Sequence, residues 1–424
     1  MLKSDTSKKI ANNTVYQFLG KFVSMTFTVI ATMIITRFYG RDGYGQFNLM
    51  QNFPALFFII SDFGFNAVAT KHLSEKWGDS EKYLNNILSI RILLSVILIA
   101  VSAVSLIYLP YSSELRFGIT LGLLTILTQS LYATTNIIFQ VKLRYDLSVA
   151  GSVLGSVVTL VLVLLTSFFH SKLVWVNFSY VIGGFVSFFI LVAFLRKLNV
   201  KINLSWNTKL WRQLLITSLP LGLMFIFSQI NFKADSILIS LLSLPKSLGF
   251  NSNDSVALYG LPYKVFEVSL VVPTFFMNSV YPVMVVHMIE SKDKLKQIFL
   301  KSLQILFFAG IVIGILGYIF SPLAIKILGG NAFLPSIYVL RVLLGGVIIF
   351  YITQPIAWLI VTLGKPIYLP FIYLTSAVFN VVANFLFIPK YSFYASAHIT
   401  WISELLILIM LSVAARRAWK LKYA

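Results

Sequence analysis

The chain has 424 residues, of which 58% are apolar, 15% aromatic and 11% charged, with a formal net charge of +20 and no cysteine. A soluble protein of this length covers itself with charged side chains at near a quarter of its residues, so the composition excludes an ordinary soluble fold and makes a bilayer the apolar solvent. The absent cysteines exclude disulfides, thiolate nucleophiles and zinc-cysteine centres, and the positive charge comes without the basic, aromatic-bearing polar module that nucleic-acid binding needs.

A spanning helix requires about 20 mainly apolar residues, and twelve such stretches are predicted. They are 13–36, 45–70, 84–109, 117–140, 147–169 and 173–195, then 213–243, 256–286, 299–322, 335–363, 367–388 and 395–415. The first twelve residues are polar and basic, but the apolar run behind them is too long for a signal peptide and has no obvious cleavage site, so it reads as the first span. Positive loops stay cytoplasmic. The two chain ends and the even-numbered connections hold 22 Lys and Arg, among them Lys3, Lys8, Lys9, Lys71 and Lys76, whereas the odd connections hold 7. Both termini are therefore expected in the cytoplasm.

The longest polar interval between spans, 196–212, divides the chain into an expected first lobe at 1–195 and a second at 213–424. Within it Val200, Ile202, Leu204 and Trp206 alternate with Lys201, Asn203 and Ser205, which fits an extended, solvated linker at the cytoplasmic interface with its tryptophan facing lipid. Eleven of the 13 prolines follow Pro54 and Pro110. The predicted eighth helix alone holds Pro262, Pro273 and Pro282, which read either as static kinks or as a gate, since proline removes a backbone hydrogen bond and bends a helix.

Nine charges fall inside the predicted spans: Lys21, Asp62, Arg91, Lys233, Asp235, Lys264, Glu267, Arg341 and Glu404. Facing lipid they would together cost on the order of 25 kcal/mol, so most must face protein or water. Arg91 and Arg341 lie near predicted helix ends, where a long side chain can snorkel to the interface. Lys264 and Glu267, three apart, share a face and can pair, whereas Lys233 and Asp235 point about 200° apart and need separate partners. Asp62 and Glu404 are candidates for coupling to protons or sodium. Lys21, Lys233 and Lys264 are candidates for holding an anionic substrate. The four histidines, His72, His170, His287 and His398, are scattered without ligand spacing, so neither a metal nor another cofactor is expected. No nucleotide loop or nucleophile elbow is present. An integral glycosyltransferase is the enzyme alternative, disfavoured by the shortage of acids in the external connections, where residues 244–255 offer only Asp254.

Residues 35–77, ITRFYGRDGYGQFNLMQNFPALFFIISDFGFNAVATKHLSEKW, resemble the first hairpin of bacterial O-antigen flippases, of the multidrug/oligosaccharidyl-lipid/polysaccharide (MOP) superfamily, through Arg37, Gly40, Tyr44, Gly45, Phe47, Asp62 and Gly64. Residues 256–284 are similar to the family's eighth helix through Tyr259, Lys264, Glu267, Tyr281 and Pro282. The resemblance covers essentially the whole chain. It implies an all-α membrane protein of two six-helix bundles in a V around a central cavity, open alternately to either side, with Lys21 and Lys264 at positions often basic in the family. Arg37, Arg91, Arg341 and the three prolines become candidate gate or boundary positions. The substrate it implies is an undecaprenyl-pyrophosphate-linked oligosaccharide repeat unit, moved across the bacterial inner membrane. Membrane lipids, a polysaccharide polymerase and a chain-length regulator are the implied partners. The fourteen helices of lipid II flippases exceed the twelve here, which argues against a peptidoglycan substrate. A cation antiporter of the same superfamily remains the alternative transporter, and would favour an acid-dominated cavity.

Overall fold

Every regular element among the described residues is helical. The computed structural model describes residues 2–75, 78 and 80–423, with the side chains of 2–15, 18, 67, 71, 74, 75 and 289 excepted. Lys76 and Trp77, and the side chains of Lys3, Lys8, Lys9 and Lys71, thus lie outside the described residues.

Eleven described helices are long and apolar enough to cross a bilayer. The first of these, Leu19–Asp62, belongs to α1 (Leu2–Asp62) and is 44 residues long, twice what a crossing needs. It breaks at Gly40, whose φ of 66° and ψ of −164° are closed to most side chains. A Cβ there would meet nothing within 4 Å, so the backbone conformation and not packing demands glycine. Its two arms, counted separately, restore the twelve crossings expected. Three predicted spans prove to be broken helices: 117–140 is α4 (Ser113–Gly122) and α5 (Leu124–Val141), 256–286 is α9 (Ser252–Ser269) and α10 (Val271–Glu290), and 335–363 is α12 (Ser336–Gly345) and α13 (Val347–Thr362). The predicted span 45–70 instead ends at Asp62, where Phe63 and Gly64 turn to positive φ, and α2 (Phe65–Glu75) starts afresh.

The chain packs as two units, Met1–Gly222 and Leu223–Ala424. The first holds α1 to α7, including α3 (Ser80–Ile107), α6 (Tyr145–Phe168) and α7 (Leu173–Lys197), and ends inside α8 (Thr208–Leu241). Small residues let α6 and α7 touch backbone to backbone: a Cβ on Gly155 would fall 2.6 Å from the Gly183 carbonyl, and one on Gly183 would fall 2.8 Å from that of Gly155. Three buried hydroxyls, Ser61, Ser95 and Ser130, bond one another at 2.8 to 3.1 Å and tie α1, α3 and α5 together.

Residues 200–207 form no regular element and stay largely exposed, as expected of a linker, but they are also pinned to α3. The backbone N–H groups of Lys201, Asn203 and Ser205 donate to Glu81, Asn85 and Ser89 of α3 at 2.9 to 3.0 Å. The match is metric, since two extended residues advance about 6.6 Å and four helical residues about 6 Å. Asn86 accepts from the Asn207 N–H and the Trp211 indole. Val200 is buried and Ile202 packs against the same core, while Trp206 is exposed and leans on Trp211 with ring centres 5.1 Å apart.

The second unit adds α9 to α13, with α11 (Lys292–Gly329), α14 (Tyr368–Tyr391) and α15 (Phe393–Tyr423). A proline in a helix leaves the carbonyl four residues earlier without its donor, and here neighbouring helices supply replacements. The Ser336 hydroxyl donates to the Leu258 carbonyl that Pro262 cannot reach, at 2.8 Å. The Tyr351 hydroxyl donates at 2.7 Å to the carbonyl of Ser269, four residues before Pro273 and the last residue of α9. In the third case the Tyr318 carbonyl freed by Pro322 accepts from the Ser321 hydroxyl of its own helix at 2.9 Å. Arg341 supports it from α12: its Nε lies 3.4 Å from that carbonyl and donates to the Ser321 hydroxyl at 3.0 Å, with the guanidinium 4.6 Å over the Tyr318 ring. Arg341, half-buried, is therefore engaged on α11.

Candidate functional site

In the first unit Arg91 is fully buried, contrary to its expected snorkelling, because α1 and its neighbours bring acceptors to it. Its Nη2 donates to Asp62 at 2.5 Å and to Asn66 at 3.2 Å, and its Nη1 to Thr134 at 3.0 Å. The guanidinium also lies 5.8 Å from the Phe65 ring centre. Asp62 is thus charge-compensated. Lys21 is exposed on the first arm of α1, and Arg37 is exposed three residues before the Gly40 break.

In the second unit α8 and α9 bring Lys233, Lys264 and Glu267 together. Lys233 Nζ lies 2.6 Å from Glu267 Oε1, and Lys264 Nζ lies 3.6 Å from Oε2. The Lys264–Glu267 pair is the one their spacing allows, and the second ammonium arrives from another helix. The Lys264 side chain keeps 45% of its surface exposed against 14% for Lys233. Two cations on one carboxylate leave this cluster itself with net positive charge.

Asp235 points away from Lys233, as two residues of helix require, into a fully buried polar network. Its Oδ2 accepts from the hydroxyls of Tyr259 and Thr400, and its Oδ1 from the Asn384 amide at 2.8 Å. Asn384 in turn accepts from Ser396 at 2.7 Å and donates to the Asn380 carbonyl at 3.0 Å. Glu404, one turn beyond Thr400 on α15, accepts from the Thr353 hydroxyl and lines a cavity of about 10 Å³ with Asn231, Tyr373 and Ser403, the scale of a single water. Among the described residues neither acid has a Lys, Arg or His within ion-pair distance. Sequence reasoning missed Thr353, Asn380, Asn384 and Thr400. The signal was there, since Asn380 with Asn384 and Ser396 with Thr400 repeat polar residues four apart inside apolar spans. No group of three or more His, Asp or Glu among the described residues could hold a metal ion. Pro262 is buried on α9, Pro273 lies in the first turn of α10, and Pro282 lies within it.

Comparison with known proteins places this arrangement. The fold is similar to a multidrug resistance MATE family transporter of the MOP superfamily in an inward-facing conformation, with a TM-score of 0.76 at 13% identity over 94% of this chain and 95% of that one. It is similar to the lipid II flippase MurJ in an inward closed conformation, with a TM-score of 0.74 at 14% identity over 96% and 89%. A MOP superfamily transporter from Pyrococcus furiosus, described as having a binding pocket of reverse polarity, gives a TM-score of 0.64 at 14% identity over 98% and 94%. No curated protein matches the sequence. The profile of the family described as polysaccharide biosynthesis protein matches residues 10–288, about two thirds of the chain. The chain therefore belongs to the polysaccharide biosynthesis protein family and carries the all-α fold of the MOP superfamily transporters.

Proposed function

We propose that the protein is a flippase that carries an undecaprenyl-pyrophosphate-linked oligosaccharide, an O-antigen or related repeat unit, from the cytoplasmic to the periplasmic leaflet of the bacterial inner membrane. The observation that carries this reading is the cluster of Lys233 and Lys264 on the single carboxylate of Glu267. A pyrophosphate with attached sugars cannot cross hydrocarbon unaided, and a net positive site on spanning helices offers its anion charge-assisted hydrogen bonds. The more exposed Lys264 is the group to meet the head group, with Lys233 holding its partner carboxylate, Glu267, in place. Transport would alternate access to such a site while the lipid tail stays in the bilayer. Lys21, exposed in the first unit, is a separate candidate for contact with the anion. A polymerase and a chain-length regulator would receive the product.

The coupling role falls to Asp235 and Glu404, because Asp62 already has Arg91 as its counter-ion. These two acids also support a second reading, a cation antiporter of the same superfamily, since buried carboxylates without a cationic neighbour are suited to taking up a proton or a monovalent cation. The two readings part experimentally. Transport of a labelled lipid-linked oligosaccharide in proteoliposomes, with protein level controlled, is expected to fall about ten-fold or more in Lys264→Glu, as the loss of one charged hydrogen bond implies, and to survive Lys264→Arg. Unchanged transport in Lys264→Glu at normal protein level would overturn the flippase reading. The orientation belongs to the same proposal: reporters fused after Leu204 are expected in the cytoplasm and reporters near Asn251 in the periplasm.

A further inference from the structure

One end of the second unit carries a groove that neither the lysine cluster nor the buried acids use. It has a volume of about 1020 Å³ and is walled by the start of α11, the middle of α13 and the end of α15. Five cations line it, Lys292, Lys296, Arg416, Arg417 and Lys420, against the single acid Asp293. The nearest acid along the chain, Glu290, is taken up by His287 and Lys294.

The cations and the apolar lining are sorted by height. On α11 Lys292 and Lys296 precede Phe299 and Leu300 at seven- and eight-residue spacings from Lys292, so all four share one face. On α15 Ser412 and Ala415 lead into Arg416, Trp419 and Lys420 on one face. The apolar runs read from the sequence begin at Phe299 and end at Ala415, which puts the five cations at the hydrocarbon boundary and Phe299, Leu300, Ile356 and Leu359 just inside it. The first backbone N–H groups of α11 add a dipole that favours an anion at the same level. Lys292 lies 5.3 Å from the Tyr423 ring centre, and the buried Tyr423 hydroxyl is a donor without a partner among the described residues.

We propose that this groove binds the headgroup of an anionic membrane phospholipid, its phosphate among the five cations and its acyl chains along α11 and α13. Charge complementarity selects the anion and the apolar wall selects a lipid over a soluble phosphate. Basic pockets between spanning helices recognise lipid headgroups on these terms. The site is separate from the transport reading and does not depend on it.

The test uses the full-length protein in non-ionic detergent, titrated with phosphatidylglycerol or phosphatidylcholine and read by native mass spectrometry and melting temperature. Phosphatidylglycerol is expected to bind at least ten-fold more tightly than phosphatidylcholine and to raise the melting temperature. Lys296→Gln with Arg416→Gln is expected to weaken phosphatidylglycerol binding about thirty-fold, while Lys296→Arg with Arg416→Lys retains it. Lys390→Gln, at the other end of the α14–α15 hairpin, is expected to leave it unchanged. Equal binding of the two lipids, or no loss in the folded double glutamine variant, would overturn the site. So would displacement of the lipid by equimolar inorganic pyrophosphate, which would make it a site for free anions.

Discussion

The two units treat their most deeply set carboxylates in opposite ways. In the first, Asp62 faces the guanidinium of Arg91 at 2.5 Å, and Asn66 and Thr134 take further donors of the same cation. In the second, Asp235 and Glu404 are held by hydroxyls and amides alone among the described residues. Asp62 already has its counter-charge and gains nothing from a further ion. A buried acid among neutral donors has no counter-charge of its own, and on the proposed function that is the difference between a structural charge and a coupling one.

The largest expected effect tests that difference. Arg91→Ala strands Asp62 and should destabilise the protein by about 3 to 5 kcal/mol, whereas replacing both partners with apolar residues, Arg91→Met with Asp62→Leu, should come near to neutral. Asp235→Asn strands no cation and keeps an oxygen for Tyr259 and Thr400, so its stability cost should be the smaller while any ion dependence of transport is lost. Melting temperatures of the purified variants, with and without sodium, compare the two. A loss in Asp235→Asn as large as in Arg91→Ala would mean that both acids are structural.

The units also differ in how they treat proline. Ten of the 13 prolines lie in the second unit, and Ser336 of α12 and Tyr351 of α13 donate to the carbonyls that two of them, Pro262 and Pro273, release. Tyr351 is the stronger case, being buried and bonded to the Ser269 carbonyl at 2.7 Å. Tyr351→Phe should cost about 1 to 3 kcal/mol by leaving that carbonyl unsatisfied. The cost should shrink in a Pro273→Ala background, where the restored N–H can serve Ser269 itself. The corresponding pair, Ser336→Ala in Pro262→Ala, should behave alike with a loss nearer about 1 kcal/mol. Additive losses in either cycle would deny the coupling between proline and donor.

The sequence made the crossings legible because a spanning segment must be apolar along its whole length, and because Gly40 and the charge asymmetry of the loops punctuate them. The Lys264–Glu267 pair was legible for the same kind of reason, since three residues of helix fix a shared face. Pairings across helices were not. Asp62 and Arg91 are 29 residues apart, and nothing local sets the rotation of α3 that turns Arg91 inward, so proximity to a predicted helix end misled. Breaks at Leu123, Leu270 and Gly346 were hidden because each half is as apolar as the other. Residues 200–207 were half legible: their alternation gave the extended form, but the acceptors at Glu81, Asn85 and Ser89 lie more than a hundred residues earlier.

That strip supplies the smallest effect and the finest contrast between the units. It is the last stretch of the first unit before α8 enters the second, and its order rests on side-chain acceptors spaced one helical turn apart rather than on secondary structure of its own. Asn85→Ala with Ser89→Ala removes two of those acceptors while leaving Val200 and Ile202 in their apolar contacts. Each lost bond is worth about 0.5 to 1.5 kcal/mol, but the strip's N–H groups can turn to water, so the melting temperature should move by only a few degrees. The local readout should be larger. Amide exchange at Asn203 and Ser205 is expected to accelerate about ten-fold or more, because opening the strip no longer requires breaking those bonds, while exchange in α11 and α13 stays unchanged. Protection that persists at both amides would mean that burial of Val200 and Ile202, and not the ladder on α3, holds the strip in place.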